Sequence, residues 1–235
     1  MPEAQIVVTG ASRGIGAAIV TELVARGRAV VGLSRGGESP AGRAIACDVT
    51  DEAAVRVALA EIASAGPIAA LVNNAGLHLA DPSATLTTAR YEQVMALNAT
   101  AVMVGCREVH PHLVANGGGC IVNIGSFFDK LGVAENLAYC ASKAAVGAMT
   151  RCLAVEWARD HIAVVDVAPG YIETDLNRDF LARDSVRRFL ERRIPVGRPG
   201  TPQEVARLVA AIVCADIPFL TGETIYLDGG QGMAH

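Results

Sequence analysis

The chain has 235 residues, a length that suits one α/β domain able to bury roughly 70–75% of its unfolded surface without disulfide staples. A net charge of −4 gives no general attraction to nucleic acid, and no apolar run approaches the roughly 18 residues that a membrane span needs. Cys47, Cys106, Cys120, Cys140, Cys152 and Cys214 are scattered with no CxxC pair or finger-like spacing, so they read as reduced thiols of a cytoplasmic protein, and no catalytic metal is expected.

The first strand signal, "QIVVTG" (5–10), begins so near Met1 that no leader peptide is expected. A helix at 15–27 and a strand "AVVGLS" (29–34) follow, then strands "AIACDV" (44–49) and "AALVNNAG" (69–76). A long helical region around 87–115 leads to the strand "CIVNIGS" (120–126), and a helix across 137–159 leads to "IAVVDVAPG" (162–170). "RDSVRRFLERR" (183–193) has helical spacing with acids mixed among its arginines and reads as a solvated helix face. The last strand is placed near "ETIYLDGG" (223–230). Strands alternating with alanine-rich helices predict an α/β chain: a single-domain, Rossmann-type doubly wound parallel sheet with helices on both faces. No Pro-, Ser- or charge-rich linker divides residues 1–235, so one domain is expected.

Between the first strand and the first helix lies "TGASRGIG" (9–16), with the spacing GxxxGxG. Gly10, Gly14 and Gly16 let the backbone turn sharply and approach a pyrophosphate, while the following helix aims free N–H groups and its positive dipole end at the phosphates. Placed at the first crossover, the loop predicts dinucleotide binding, with Ser12, Arg13 and Ile15 beside the glycines. An enzyme that reads the 2′-hydroxyl of NAD usually has Asp or Glu at the end of the second strand. Here Ser34 and Arg35 stand in that place, and Arg13 can approach the same ribose, so two guanidinium groups could clamp a 2′-phosphate. NADP(H) is therefore favoured, with NAD(H) possible because Glu38 offers a displaced acceptor.

"YCASK" (139–143) sets Tyr139 and Lys143 one helical turn apart on one face. "IGS" (124–126) ends a strand just upstream, and ligands in open parallel sheets bind at that edge. The Ser126 hydroxyl, the Tyr139 phenol and the Lys143 ammonium could therefore converge beside a nicotinamide. A free tyrosine, with a pKa of about 10, is a poor base at neutral pH, and a nearby ammonium favours its phenolate.

TGASRGIG, NNAG (73–76), the asparagine of "LNATAV" (97–102), the serine, YxxxK, "PG" (169–170) and "TGETIYLDGG" occur in order. Together they resemble the short-chain dehydrogenase/reductases over nearly the whole chain, and are similar to the bacterial 3-oxoacyl-carrier-protein reductases within that family. The resemblance implies an NAD(P)-dependent oxidoreductase acting on an alcohol or ketone. It implies a catalytic set of Asn98, Ser126, Tyr139 and Lys143, in which Asn98 supports a water chain from Lys143 and Lys143 also holds the nicotinamide ribose beside Tyr139. It also implies adenosine contacts from Asp48, Val49, Asn74, Ala75 and Gly76, and nicotinamide contacts from Pro169, Gly170, Ile172 and Thr174. Asp48 could instead cap the helix opening at "TDEAAV" (50–55). The family commonly has an asparagine in the strand leading to PG, where this chain has Val165 and Asp166, and a buried Asp166 needs a partner.

Family C-termini pack against sister subunits, so the resemblance implies a homotetramer, with a dimer second. It also implies a mainly cofactor-binding half (1–115) and a catalytic and substrate half (116–235) whose lid spans about 171–200. Phe128, Leu131, Leu137, Tyr171, Leu176 and Phe180 offer an apolar lining for a compact ketone or secondary alcohol, with Phe127 or Phe128 expected in the core. His78 reads as a solvated loop histidine and Trp157 as packing. Two other readings stand beside the small-substrate enzyme: a 3-oxoacyl-carrier-protein reductase, and a non-catalytic dinucleotide-binding redox sensor.

Overall fold

Each run rich in Val, Ile and Leu becomes a strand: β1 (Gln5–Thr9), β2 (Ala29–Ser34), β3 (Arg43–Ala46), β4 (Ile68–Asn73), β5 (Gly119–Ile124), β6 (Ile162–Pro169) and β7 (Thr224–Leu227). The computed structural model describes residues 3–175, 177–181, 183–215, 217 and 219–233. All neighbouring strands pair in parallel, in the order β3-β2-β1-β4-β5-β6-β7. Strands covered on both faces need apolar side chains on both, which is why β1 and β6 are unbroken hydrophobic runs apart from a few polar positions.

The helices are α1 (Gly14–Ala25), α2 (Glu52–Ala65), α3 (Thr88–Met95), α4 (Ala101–Ala115), α5 (Leu137–Trp157), α6 (Arg178–Leu181), α7 (Asp184–Arg193) and α8 (Pro202–Cys214). One core layer joins Ile19, Val20 and Leu23 of α1 to Val205 and Val209 of α8 over the sheet. The other buries Leu59 and Ile62 of α2, Val109 of α4 and Val146 of α5 against the opposite face. Helix α8 has its start written in the sequence as Thr201-Pro-Gln-Glu204: the Thr201 hydroxyl accepts from the Glu204 amide while the Glu204 carboxylate accepts from the Thr201 amide.

Three expectations need adjustment. The helical region 87–115 is not continuous, because a π turn, Ala96–Thr100, separates α3 from α4 and carries Asn98. Strand β3 stops at Ala46, so Cys47, Asp48 and Val49 lie in the loop that follows. The arginine-rich helix α7 is solvated on one side only: Val186 and Leu190, one turn apart, pack with Leu181 and Ile194, and Leu190 is 2% exposed.

Sequence-consecutive strands run outward from β1 through β2 to β3, after which the chain returns to place β4 on the other side of β1. That reversal opens a crevice at the carboxyl ends of β1 and β4, the position where open parallel sheets take ligands.

Candidate active site

The glycine loop follows β1 directly. Gly10 and Gly14 have φ of 66° and 57°, a backbone region that costs a residue with a Cβ. Gly16 has a different reason: a Cβ there would lie 2.1 Å from the Gly10 carbonyl oxygen and 2.4 Å from Asn74 Nδ2. Asn74 Nδ2 donates to the carbonyls of Thr9 (3.0 Å) and Gly10 (3.2 Å), so its side chain shapes the loop. Thr9, absent from the expected site, accepts the Asn74 and Ala75 amides on its hydroxyl and so ties the NNAG turn to β1.

Helices α2, α3 and α8 each have a side-chain cap, from Asp51, Thr87 and Thr201. Helix α1 has none at Arg13 and no acid in its first turn. Its uncapped amides, beside the exposed Ser12 and Arg13, suit an anionic group. Thr174 faces this loop, its Cγ2 3.8 Å from where a Gly14 Cβ would stand. A cavity of about 530 Å³ lies between Ser12–Gly14 and the segments Glu173–Asp175 and Thr201–Gln203. Gly76 leaves a second opening: a Cβ there would sit 3.3 Å from Asn98 Oδ1 and 3.9 Å from Lys143 Nζ. The uncapped helix and the open Gly76 cradle fit the pyrophosphate and ribose of a dinucleotide.

Where adenosine contacts were expected, Arg35 is exposed and close enough to Asp48 to help lower its carboxyl, although hydrogen bonds from the Thr50 hydroxyl and amide do more. Asp48 therefore builds a turn with Thr50, and the cap of α2 is Asp51, which accepts from Ala53 and Ala54. Ser34 is buried, and its hydroxyl both donates to the Glu38 carbonyl and accepts from the Glu38 amide. Its side chain holds the turn after β2 and is not free for a ribose. Val49 lines an apolar crevice with Leu33, Ala75 and Leu97.

The residues expected to be catalytic, Asn98, Ser126, Tyr139 and Lys143, come together from three elements. Ser126 follows β5, its hydroxyl accepting from the Phe128 amide (3.2 Å) and standing close enough to the Tyr139 phenol on α5 to act on it. Burial holds the Tyr139 phenol above its ordinary range, and the Ser126 hydroxyl opposes that. Lys143 is 5% exposed, and its Nζ donates to the Ile124 carbonyl at 2.7 Å, 5.8 Å from the centre of the Tyr139 ring. Burial lowers its ammonium and Asp166 opposes that, leaving it at about 8. Asn98 is fully buried: its Oδ1 accepts from the Leu77 amide, and its Nδ2 donates to the Leu77 carbonyl and to Ser142 Oγ. Ser142, which sequence reasoning missed, donates in turn to the Tyr139 carbonyl at 2.7 Å, joining the π turn to α5.

Around Tyr139 the walls are aromatic. Phe128 lies 5.9 Å away edge-on, Tyr171 packs 6.1 Å from Phe128 and 5.4 Å from Phe127, and both phenylalanines are buried. His78 is not simply solvated: its ring meets Tyr139 edge-on at 4.7 Å and its Nε2 pairs with Asn136 Oδ1. Leu131 is half-buried, whereas Leu137 is 47% exposed at the start of α5. Leu176 and the Phe180 side chain lie outside the described residues. A cavity of about 220 Å³ is instead lined by Tyr171, Leu181, Val186, Phe189 and Leu190, residues whose helical spacing in 181–190 was the available signal. Pro169 is the last residue of β6, Gly170 packs on Asp228, and Ile172 is 7% exposed with its side chain in the core, so that side chain is not available to a nicotinamide.

A family model described as "Enoyl-(Acyl carrier protein) reductase" matches residues 10–231. The 3-oxoacyl-[acyl-carrier-protein] reductase MabA of Mycobacterium bovis is 36% identical over 98% of this chain and 93% of its own. The chain belongs to the short-chain dehydrogenase/reductase family. It is accordingly an NAD(P)-dependent oxidoreductase. Its relatives differ in substrate: 3beta-hydroxysteroid dehydrogenase 1 of Eggerthella lenta is 33% identical, covering 96% of this chain and 92% of that one. Among solved structures, a gluconate 5-dehydrogenase from Burkholderia cenocepacia in complex with NADP and tartrate superimposes with a TM-score of 0.92 at 30% identity, covering 100% of this chain and 97% of that one.

The contact at Gly16 gives a prediction for this short-chain dehydrogenase/reductase. Gly16→Ala forces the loop or helix α1 to shift, and overpacking of this kind costs roughly 1–3 kcal/mol. Urea unfolding should show a lower midpoint with an unchanged slope; an unaltered midpoint would contradict the close approach of Gly10 and Gly16.

Proposed function

We propose that this enzyme interconverts a compact hydrophobic ketone and its secondary alcohol with NADP(H) as the preferred cofactor. The observation that carries this reading is the Ser126–Tyr139–Lys143 cluster opening onto an aromatic wall of Phe128 and Tyr171. When bound, the cofactor would supply or accept the hydride. In reduction Tyr139 donates its proton to the carbonyl oxygen, and the Ser126 hydroxyl fixes that oxygen by a hydrogen bond. In this reading the Lys143 ammonium, 5.8 Å from the centre of the Tyr139 ring, favours the phenolate over the phenol during proton transfer. One of its N–H donors is engaged by Ile124, which leaves others for the ribose and for a water chain supported by Asn98. The uncapped first turn of α1 would hold the pyrophosphate, with Arg13 and Arg35 at the 2′-phosphate. Residues 171–200, with α6 and α7, form the lid in this reading, and its apolar side lines the 220 Å³ cavity.

One observation favours a second reading, the reduction of a 3-oxoacyl group on an acidic carrier protein. Helix α7 carries Arg187, Arg188, Arg192 and Arg193 against Asp184 and Glu191, so the lid itself carries a basic surface, and the relative MabA is named for that reaction. With purified enzyme and one buffer, kcat/KM should be higher for a free cyclic, aromatic or short aliphatic ketone than for a 3-oxoacyl-carrier substrate. A clear preference for the carrier-bound substrate would replace the first reading by the second.

Two further outcomes test the residues. Tyr139→Phe removes only the proton-transferring hydroxyl, so turnover should be nearly abolished while the cofactor still binds, as followed by quenching of protein fluorescence. Retained turnover would end the mechanism. For the cofactor, alanine at Arg13 or Arg35 should raise KM for NADPH about tenfold, the usual scale for losing one charge-assisted hydrogen bond, with little change for NADH. A parent enzyme with equal or better kcat/KM for NADH would reverse the assignment.

A further inference from the structure

Asp166 occupies the middle of β6, paired with Asn123 of β5 on one side and Thr224 of β7 on the other, and its side chain has no exposure. A carboxylate there must be justified by partners. Thr224 Oγ1 donates to Oδ2 at 3.2 Å, while Oδ1 has no hydrogen-bond partner. Both oxygens crowd Gly125: a Cβ on that residue would lie 2.4 Å from Oδ1 and 2.7 Å from Oδ2. The carbonyl of the Ile124–Gly125 peptide is the one that accepts from Lys143 Nζ. A single peptide unit thus separates the buried carboxylate from the buried ammonium, and the next residue in the chain is Ser126.

We propose that Asp166 is a positioning residue of the active site, the counter-charge that keeps Lys143 an ammonium on the Ile124 carbonyl beside Tyr139. The proposal rests on the reading of Lys143 as the cation that activates Tyr139. The groups that face this pocket come from every element around it. Helix α5 contributes Lys143, Arg151 and Gly147, and a Cβ at Gly147 would stand 3.5 Å from an Arg151 terminal nitrogen and 3.9 Å from both Asp129 Oδ2 and Asp166 Oδ2. The turn after β5 contributes Asp129, and β7 contributes Thr224 and Tyr226. Asp129 is already engaged by the Tyr226 hydroxyl at 2.8 Å, and Asp166 is the acid whose charge acts on Lys143.

Burial pushes the Asp166 carboxyl up to about 6, against the opposing pull of Lys143, so above that pH it is an anion. The anion raises Lys143 against the lowering by burial, and the balance of the two stands at about 8. Asn at position 166 keeps the size and can accept from Thr224, but it removes the charge, so Lys143 should lose its proton at lower pH.

Lys130 and Lys143 are the two lysines of the chain, so lysine labelled with 13C at Cε gives two signals, and Lys130→Arg assigns them. In the full-length protein the Lys143 midpoint should fall by about one unit or more in Asp166→Asn, a tenfold shift in the ammonium–amine ratio. The alkaline limb of kcat/KM should move down with it. A purely structural Asp166 would leave the midpoint where it was, and that result in a folded Asp166→Asn protein overturns the proposal. Should the variant not fold, the parent decides: its Lys143 signal should show a second, smaller inflection near the Asp166 value of about 6, and a single inflection overturns the proposal. Because the signals report charge and not turnover, they stand apart from the loss of activity in Tyr139→Phe, which tests the catalytic reading.

Discussion

A buried ammonium has to be given acceptors, and the arrangement of this site follows from how Lys143 obtains one. Its Nζ reaches the carbonyl of Ile124, at the end of β5, and so the helix that carries Lys143 is held against the strand that leads into Ser126. That single bond sets the spacing between Ser126 and Tyr139, because Tyr139 lies one turn earlier on the same helix. The approach is permitted by what α5 places on its inner face: Ser142, Val146, Gly147 and Thr150 are buried, and three of the four are small. Thr150 accepts from Asn123 Nδ2, and Asn73 Nδ2 donates to Asn123 Oδ1, so a buried polar row ties α5 through β5 to β4.

From the other side, the π turn brings Asn98 to the same helix. An α-helix running straight from Thr88 to Ala115 would present its side chains at a steady angle, and one widened turn redirects the asparagine to the Leu77 backbone and to Ser142. Asn98 and Lys143 thereby approach the open face of Gly76 together. The cleft owes its shape to missing side chains as much as to those present, at Gly76 as at Gly10 and Gly16.

What could be read in the sequence was local. The glycine loop, the Tyr139–Lys143 turn and the strands declare themselves through spacing within a few residues, and each of the seven strands overlaps an expected run, although β3 ends at Ala46 and β4 at Asn73, short of the ends expected. What escaped depends on partners distant in the chain. Ser142 looks like any helical serine until Asn98 is seen to reach it, and Thr9 until the NNAG amides close on it. Ser34 and Asp48 sit where a cofactor contact was anticipated, yet both hydroxyl and carboxylate are used by their own turns. Asp166 showed only that a partner was needed; naming it required Gly125, Thr224 and Lys143, which lie 41, 58 and 23 positions away in the chain. The capping box of α8 and the i, i+4 pair Val186 and Leu190 were legible signals that went unused.

The charged pair also has a thermodynamic consequence that sets it apart from the rest of the core. Asp166 is raised in the folded chain, from 3.8 to about 6, so the native state binds the proton more tightly and stability falls as pH rises through that window. Lys143 is lowered, from 10.5 to about 8, so the native state gives up its proton sooner and stability rises with pH between those values. Between about pH 6 and 8 both burial penalties are in force. A layer of apolar side chains of similar volume would serve the fold better there, as it does elsewhere in β6, where Val164, Val165 and Val167 are fully buried. Two valine-, leucine- and isoleucine-rich layers, one over each face of the sheet, supply the stability that lets the chain retain two buried charges. In the proposed mechanism a cation is kept for Tyr139, and β6 departs from its hydrophobic pattern at Asp166, the acid whose charge acts on that cation.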